Sequence, residues 1–257
     1  MKHHPVILSI AGSDCSGGAG IQADIKAISA LGGYAASAIT AITVQNTLGV
    51  HTVQAMSPEI VRGQIEAVME DLQPVALKIG MINDIQIVRV ISDCIRKYTP
   101  QYIVYDPVMV STSRQKLMTD EAIEEIKKDL LPLVTLATPN LDETAVLIGN
   151  PIHNIQEMQE AAKLLTEHYH ISILVKGGHL EGDLMSDFLY TSESASYIYK
   201  EKKIESRNLH GTGCTLSSSI ATYLALGLPM DQAVGKAKSY VSKAIDAGKE
   251  IIIGHGN

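Results

Sequence analysis

His210-Gly211-Thr212-Gly213-Cys214 runs directly into the small residues Thr215-Leu216-Ser217-Ser218-Ser219-Ile220. Glycine at 211 and 213 lets the backbone take positive φ and come close to a ligand. The helix expected to follow aims unpaired N–H groups and the positive end of its dipole at that loop, an arrangement that suits a phosphate. A thiol at the junction is a candidate base or nucleophile, because the same dipole is expected to lower the Cys214 pKa. The plain alternative is an ordinary loop-to-helix junction with an inert cysteine. Gly211, Thr212, Gly213 and Cys214 therefore gain chemical meaning only from what the chain places beside them.

A second glycine-rich loop lies near the start, at Cys15-Ser16-Gly17-Gly18-Ala19-Gly20. Gly12 and Gly17 have the spacing of a phosphate-cradling P-loop, but Gly18 stands where that motif needs lysine. Gly18-x-Gly20-x-x-Ala23 has the outline of a dinucleotide fingerprint, yet the first acid after Asp24 is Glu59, so none falls where the ribose would need one. Between the two loops, polar residues sit at the ends of apolar runs: Gln45, Asp106, Asn140 with Glu143, and Lys176 before Gly177-Gly178. Asp106, Asn140 and Glu143 offer the oxygen ligands that a hydrated Mg²⁺ prefers, and Lys176 suits phosphate neutralisation. An anion loop, a lysine and an oxygen cluster together describe phosphoryl transfer. Each has a structural alternative. Asn140 and Glu143 have the spacing of a helix capping box, Asp106 precedes Pro107 as a turn residue would, Asp24 reads as surface charge and Met81 as core filler.

The elements that must position these groups alternate between strand and helix. Residues 6–11 read as a buried strand, 21–31 as a helix closed by Gly32-Gly33, 34–44 as a strand and 50–54 as a hairpin arm. Ser57-Pro58 opens a helix with an apolar stripe at Ile60, Val61, Ile65, Val68, Met69 and Leu72. Strands at 76–80, 102–105, 135–137 and 172–175 follow, with helices at 84–97, 120–130, 141–147 and 155–168. Alternating segments between 187 and 205 read as antiparallel strands at one edge, and helices at 214–226 and 230–247 end the chain. This is the βαβ pattern of an α/β fold in one domain, 1–257, in which strand carboxyl ends line one crevice.

Composition narrows the partners. A net charge of −7 without any basic run argues against a nucleic-acid partner. Cys15, Cys94 and Cys214 cannot make a disulfide framework and show no metal-ligand spacing. Apolar runs are too short for a signal peptide or a membrane span, so a soluble, cytoplasmic protein is expected.

Six ordered motifs carry a resemblance over nearly the whole chain. They are Ala11-Gly12-Ser13-Asp14 through Asp24, Thr43 to Thr47, Lys78-Ile79-Gly80-Met81, Asp106-Pro107-Val108-Met109, Thr138 to Glu143 with Val175 to His179, and His210 to Cys214. The chain resembles bacterial hydroxymethylpyrimidine/phosphomethylpyrimidine kinases of the ribokinase-like superfamily. The resemblance implies a three-layer α/β/α fold with a central, mostly parallel sheet, antiparallel edge strands and helices on both faces. It implies ATP-dependent phosphorylation of 4-amino-5-hydroxymethyl-2-methylpyrimidine to its monophosphate and then its diphosphate in thiamine biosynthesis.

By the same resemblance, Gln45 hydrogen-bonds the aminopyrimidine, while Asp24, Gly12, Ala19, Val44, Met81 and Val108 line its pocket. Residues 211–214 form the anion hole, with Cys214 as the base. Asn140, Glu143, Lys176, Gly178 and Lys238 meet ATP, and Asp106 and Glu143 meet Mg²⁺. A homodimer is also implied. Residues 110–117, where the family often carries a glycine-containing flap, have no glycine here, which leaves the contribution of Arg114 or Lys116 open. The nearest competing reading is a pyridoxal/pyridoxine kinase on the same fold. A catalytically silent ligand-binding regulator and a thiol hydrolase pairing Cys214 with His210 are the others.

Overall fold

The computed structural model describes residues 4–109, 118–178, 180 and 184–255. The flap at 110–117 and His179 lie outside the described residues. The chain order is β1 (Val6–Asp14), α1 (Gly20–Ala30), β2 (Tyr34–Asn46), β3 (Gly49–Ala55), α2 (Pro58–Asp71), β4 (Ala76–Ile79), α3 (Ile85–Tyr98) and β5 (Tyr102–Tyr105). Then come α4 (Asp120–Glu125), β6 (Leu136–Ala137), α5 (Leu141–Ile148), α6 (Ile155–Tyr169), β7 (Ser172–Lys176), β8 (Leu184–Tyr190), β9 (Ser196–Lys202), α7 (Thr212–Ala225) and α8 (Met230–Gly248).

Among the described residues the strands form one sheet in the order β3-β2-β1-β4-β5-β6-β7-β8-β9. The six strands from β2 to β7 run parallel. Antiparallel strands border both edges rather than one: β3 beside β2, and β8 with β9 beside β7. Two boundaries also differ from the sequence reading. The strand expected to reach 205 stops at Lys202, where the chain leaves its last partner. The single helix expected over 120–130 is a six-residue α-helix continued by a π-helical turn, Ile126–Leu130, which keeps Ile126, Leu130 and Leu131 fully buried.

Side chains alternate across the sheet, so each strand feeds two cores. Leu8, Ile10, Leu77, Ile79, Tyr105, Ile173 and Val175 face α2, α3 and α6, while Ile7, Val104, Leu136 and Leu174 face α1, α7 and α8. The period of two therefore brings Ser9 of β1, with Lys78, Asp106 and Lys176 at the carboxyl ends of β4, β5 and β7, onto the α1/α7 face. The consecutive small residues Ser217, Ser218 and Ser219 are fully buried and let α7 lie close over the sheet. Ser218 then donates to Asp24 of α1 at 2.6 Å, and Ser217 to Asp106 at 3.3 Å.

Candidate active site

The carboxyl ends of β1, β2, β4 and β5 and the starts of α1, α5 and α7 surround a cavity of about 410 Å³. Two loops from opposite ends of the chain meet in its wall. Gly211, at φ 82°, is the N-cap of α7, and a Cβ there would collide with the Gly18 carbonyl. No side chain caps this helix, and Thr212, Gly213 and Cys214 of its first turn line the cavity. The position of a Gly213 Cβ would lie 3.5 Å from both Asp106 Oδ2 and Lys176 Nζ. At the other end of the same loop, His210 Nε2 lies 3.0 Å from the Gln45 amide nitrogen. The loop at 210–214 thus reaches from Gln45 to the Asp106–Lys176 pair.

Asp106 is 1% exposed; it accepts from Lys176 Nζ at 2.8 Å and Thr138 Oγ1 at 3.2 Å. Burial alone would raise its pKa, but the Lys176 and Lys78 ammonium groups hold it below the usual carboxylate range. Burial works against the Lys176 charge too, and Asp106 with Glu143 restores it, so Lys176 sits above the ordinary lysine value. Glu143 is pushed upward by burial, against the pull of Lys176. The capping box is real: Asn140 Oδ1 accepts from Glu143 N at 2.9 Å, and Glu143 Oε2 accepts from Asn140 N at 2.8 Å. Both residues still line the cavity, so the structural and chemical readings coexist.

Cys214 departs from the sequence expectation. Its thiol is pushed up to about 11 chiefly by burial; the Lys78 ammonium opposes this, and the Asp24 and Asp106 charges add to it. A backbone hydrogen bond from Gly20 lowers it only in part.

Most of the residues singled out from sequence line this one cavity: Gly12, Ala19, Gln45, Met81, Asp106, Val108, Asn140, Glu143, Lys176 and 211–214. Four do not. Asp24 is fully buried in an ion pair with Lys78 at 2.9 Å and also accepts from Ser9 Oγ at 2.6 Å. Val44 points away because Thr43 and Gln45 point in, and β2 alternates; it is 57% exposed. Lys238 spends its ammonium on Asp187 at 2.6 Å, behind the wall, and Asp187 in turn accepts from Gly177 N at 3.2 Å. Gly178 lies outside the lining, with open space where a Cβ would stand.

A family model described as phosphomethylpyrimidine kinase matches residues 14–257. The chain belongs to the phosphomethylpyrimidine kinase family. The kinase is 45% identical over 252 residues to the hydroxymethylpyrimidine/phosphomethylpyrimidine kinase of Rhizobium meliloti, covering 98% of this chain and 94% of that one. It is similar to the crystal structure of phosphomethylpyrimidine kinase from Clostridium difficile 630, with TM-score 0.83, 43% identity, and 94% and 99% of the two chains covered. It is also similar to a Staphylococcus aureus pyridoxal kinase solved with AMP-PCP, with TM-score 0.89, 31% identity, and 99% and 94% covered. Phosphorylation of hydroxymethylpyrimidine in thiamine biosynthesis is the activity this family carries.

Three residues of the kinase site had no assigned role in the kinase reading of the sequence beyond their motifs, His210 being named only as a partner of Cys214 in the hydrolase alternative. Lys78 lines the cavity floor although fully buried, and its signal was a charge inside the apolar run Ala76-Leu77-Lys78-Ile79. Asp14 accepts from Ser16 N, Ser16 Oγ, Gly18 N and Ala19 N at 2.6 to 3.1 Å and so folds the first glycine loop around itself. Burial favours its neutral form, but His210 and these donors hold its carboxyl well below the usual carboxylate range. His210 Nε2 lies 3.0 Å from Asp14 Oδ2, directed at Asp14 and Gln45.

Proposed function

We propose that the chain transfers the γ-phosphoryl group of ATP, delivered with Mg²⁺, to the 5-hydroxymethyl oxygen of the aminopyrimidine, and then a second phosphoryl group to the resulting monophosphate. The observation that carries this is the single loop at 210–214. It touches the proposed pyrimidine ligand Gln45 at one end and the Asp106–Lys176 pair at the other, within one cavity.

Gln45 holds the pyrimidine edge, with Gly12, Ala19, Met81 and Val108 around the ring. Lys176, the free amide N–H groups of Asn140 and the backbone of Gly178 meet the nucleotide phosphates. Among the described residues no cluster of three or more His, Cys, Asp or Glu could hold a metal. Two carboxylates, Asp106 and Glu143, do line the cavity, which fits a magnesium ion bound by one or two carboxylates plus phosphates. Bound there, the ion would neutralise charge on the transferring group.

The amides of 211–214 stabilise the same charge, and Cys214 takes the acceptor proton. With a thiol pushed up to about 11, Cys214 is protonated in the resting site. To act as base it must first release that proton to solvent; the thiolate then takes the hydroxyl proton as the acceptor oxygen bonds to the γ-phosphorus and the bond to ADP breaks.

A homodimer is proposed as well, through the exposed face of β2 that carries Ile42 and Val44 at 47% and 57% exposure. Sedimentation of an Ile42→Lys/Val44→Lys variant should shift it to the monomer. A cytoplasmic location fits the nucleotide requirement, and no helix among the described residues is long and apolar enough to cross a membrane.

The likeness to pyridoxal kinases favours one second reading, phosphorylation of pyridoxal in the same cavity. Steady-state assays with each acceptor test the proposal. Turnover with the pyrimidine at a kcat/KM well above that for pyridoxal supports it, and the reverse order overturns the acceptor assignment.

A further inference from the structure

The polar contacts around Gln45 favour one arrangement of hydrogens. A side-chain amide has oxygen and nitrogen ends of nearly the same shape, so its orientation follows from its neighbours. Here the amide nitrogen stands 3.0 Å from His210 Nε2, and the amide oxygen 3.3 Å from Thr43 Oγ1. His210 Nε2 is also 3.0 Å from Asp14 Oδ2. Asp14 is 3% exposed and collects four donors from its own loop, so its carboxylate is ionised and can only accept. His210 must therefore carry its hydrogen on Nε2. That hydrogen opposes an amide NH₂ but suits an amide oxygen. At the other end, Thr43 Oγ1 has one hydrogen and two oxygens in reach, the Ser13 carbonyl at 3.0 Å and the Gln45 side chain at 3.3 Å; given to the nearer carbonyl, it leaves the hydroxyl as an acceptor toward Gln45. Turning the Gln45 amide so that its oxygen faces His210 and its nitrogen faces Thr43 satisfies both contacts, whereas the reverse orientation sets an NH₂ group against the His210 hydrogen.

We propose that His210, anchored by Asp14, fixes the polarity of the Gln45 amide and is thereby a specificity-determining positioning residue. An amide bonded once at each end retains one N–H and one carbonyl lone pair for a ligand. A 4-aminopyrimidine presents the complementary pair, the ring N3 lone pair and an N–H of the 4-amino group. A 4-oxopyrimidine presents the opposite pair, N3–H and a carbonyl oxygen, which a freely turning glutamine could also meet. The His210 ring is wedged in place: a Cβ at Gly18 would collide with its Cδ2. The inference rests on the proposed contact between Gln45 and the pyrimidine.

The test compares kcat/KM for the 4-amino substrate and its 4-oxo analogue in the wild type, His210→Ala, His210→Asn, His210→Gln and Gln45→Ala. His210→Ala should lower the discrimination by about tenfold, the scale of one hydrogen bond, while KM for ATP stays within about twofold. His210→Asn, which keeps a polar side chain but no donor at the Nε2 position, should lose it equally and serves if the alanine variant does not fold. His210→Gln, whose amide nitrogen has a hydrogen for Asp14 and another for Gln45, should restore it. Wild-type discrimination in both His210→Ala and His210→Asn, alongside its loss in Gln45→Ala, overturns the role of His210. Wild-type discrimination in Gln45→Ala overturns the pyrimidine contact itself, and the inference with it.

Discussion

Replacing Lys78 with methionine removes one charge from a pair in which both side chains are 0% exposed and 2.9 Å apart. Methionine keeps most of the stem volume, so the loss is electrostatic rather than a cavity. At an effective dielectric near 20 the attraction across that distance is about 6 kcal/mol, offset by the cost of burying both ions. What the substitution leaves behind decides the outcome. Asp24 keeps the Ser9 and Ser218 hydroxyls but loses its countercharge, and stripping one partner from a buried pair costs about 3–5 kcal/mol. For a chain of this size that corresponds to a drop in Tm of about 6–20 °C.

Urea unfolding at pH 7, followed by circular dichroism, measures it, with an unchanged m showing that the unfolded state is not the cause. The double variant Lys78→Met/Asp24→Asn leaves no buried charge, and should lose at least about 2 kcal/mol less than the sum of the single variants. The pH dependence has a definite sign. Burial disfavours the Lys78 ammonium, but the Asp24 and Asp106 carboxylates outweigh it and hold its pKa above the ordinary lysine value. A raised lysine contributes fully below its unfolded value of about 10.4 and loses that contribution as pH rises through the folded one. The gap between wild type and variant should therefore be flat from pH 6 to 9. A loss under about 1 kcal/mol at pH 7, or a gap that closes by pH 9, would refute a dry, charged pair at this position.

Three further outcomes follow from the site. Alkylation of Cys214, followed by peptide mass, should rise about tenfold per pH unit and level off only near 11; a plateau near 8.5 would mean that the dipole of α7 wins over burial. Cys214→Ala should lower kcat by about 10²–10⁴-fold with ATP affinity intact, and unchanged turnover removes the thiol from the mechanism. Asn140→Ala should cost about 1 kcal/mol of stability as a lost cap, and a raised KM for ATP beyond that would separate phosphate binding from capping.

Much of this was legible in the chain because it depends on local spacing. Ser57 and Asn140 were readable as N-caps, and both accept the expected backbone N–H. The buried parallel strands were readable as short apolar runs, and the two glycine loops as helix openings. What escaped was set by contacts between distant residues. Asp24 read as surface charge or pocket wall because nothing near it in sequence announces Lys78, which meets it across 54 positions. Lys238 on the last helix likewise meets Asp187 rather than open solvent or the cavity. Val44 was misplaced by one step of strand period: β2 runs on to Asn46, so Gln45 is a strand residue facing in, and its neighbour must face out. The Cys214 thiol shows the same limit in electrostatics. A helix start can be read from sequence, whereas the desolvation that raises the thiol depends on which elements close over it.

The most direct test incubates the purified chain with ATP, Mg²⁺ and 4-amino-5-hydroxymethyl-2-methylpyrimidine and follows the products by mass. The expected result is the monophosphate, followed by the diphosphate as the monophosphate is consumed, both lost in Cys214→Ala. ATP turnover that appears only with pyridoxal, or pyrimidine binding without any phosphorylated product, would contradict it.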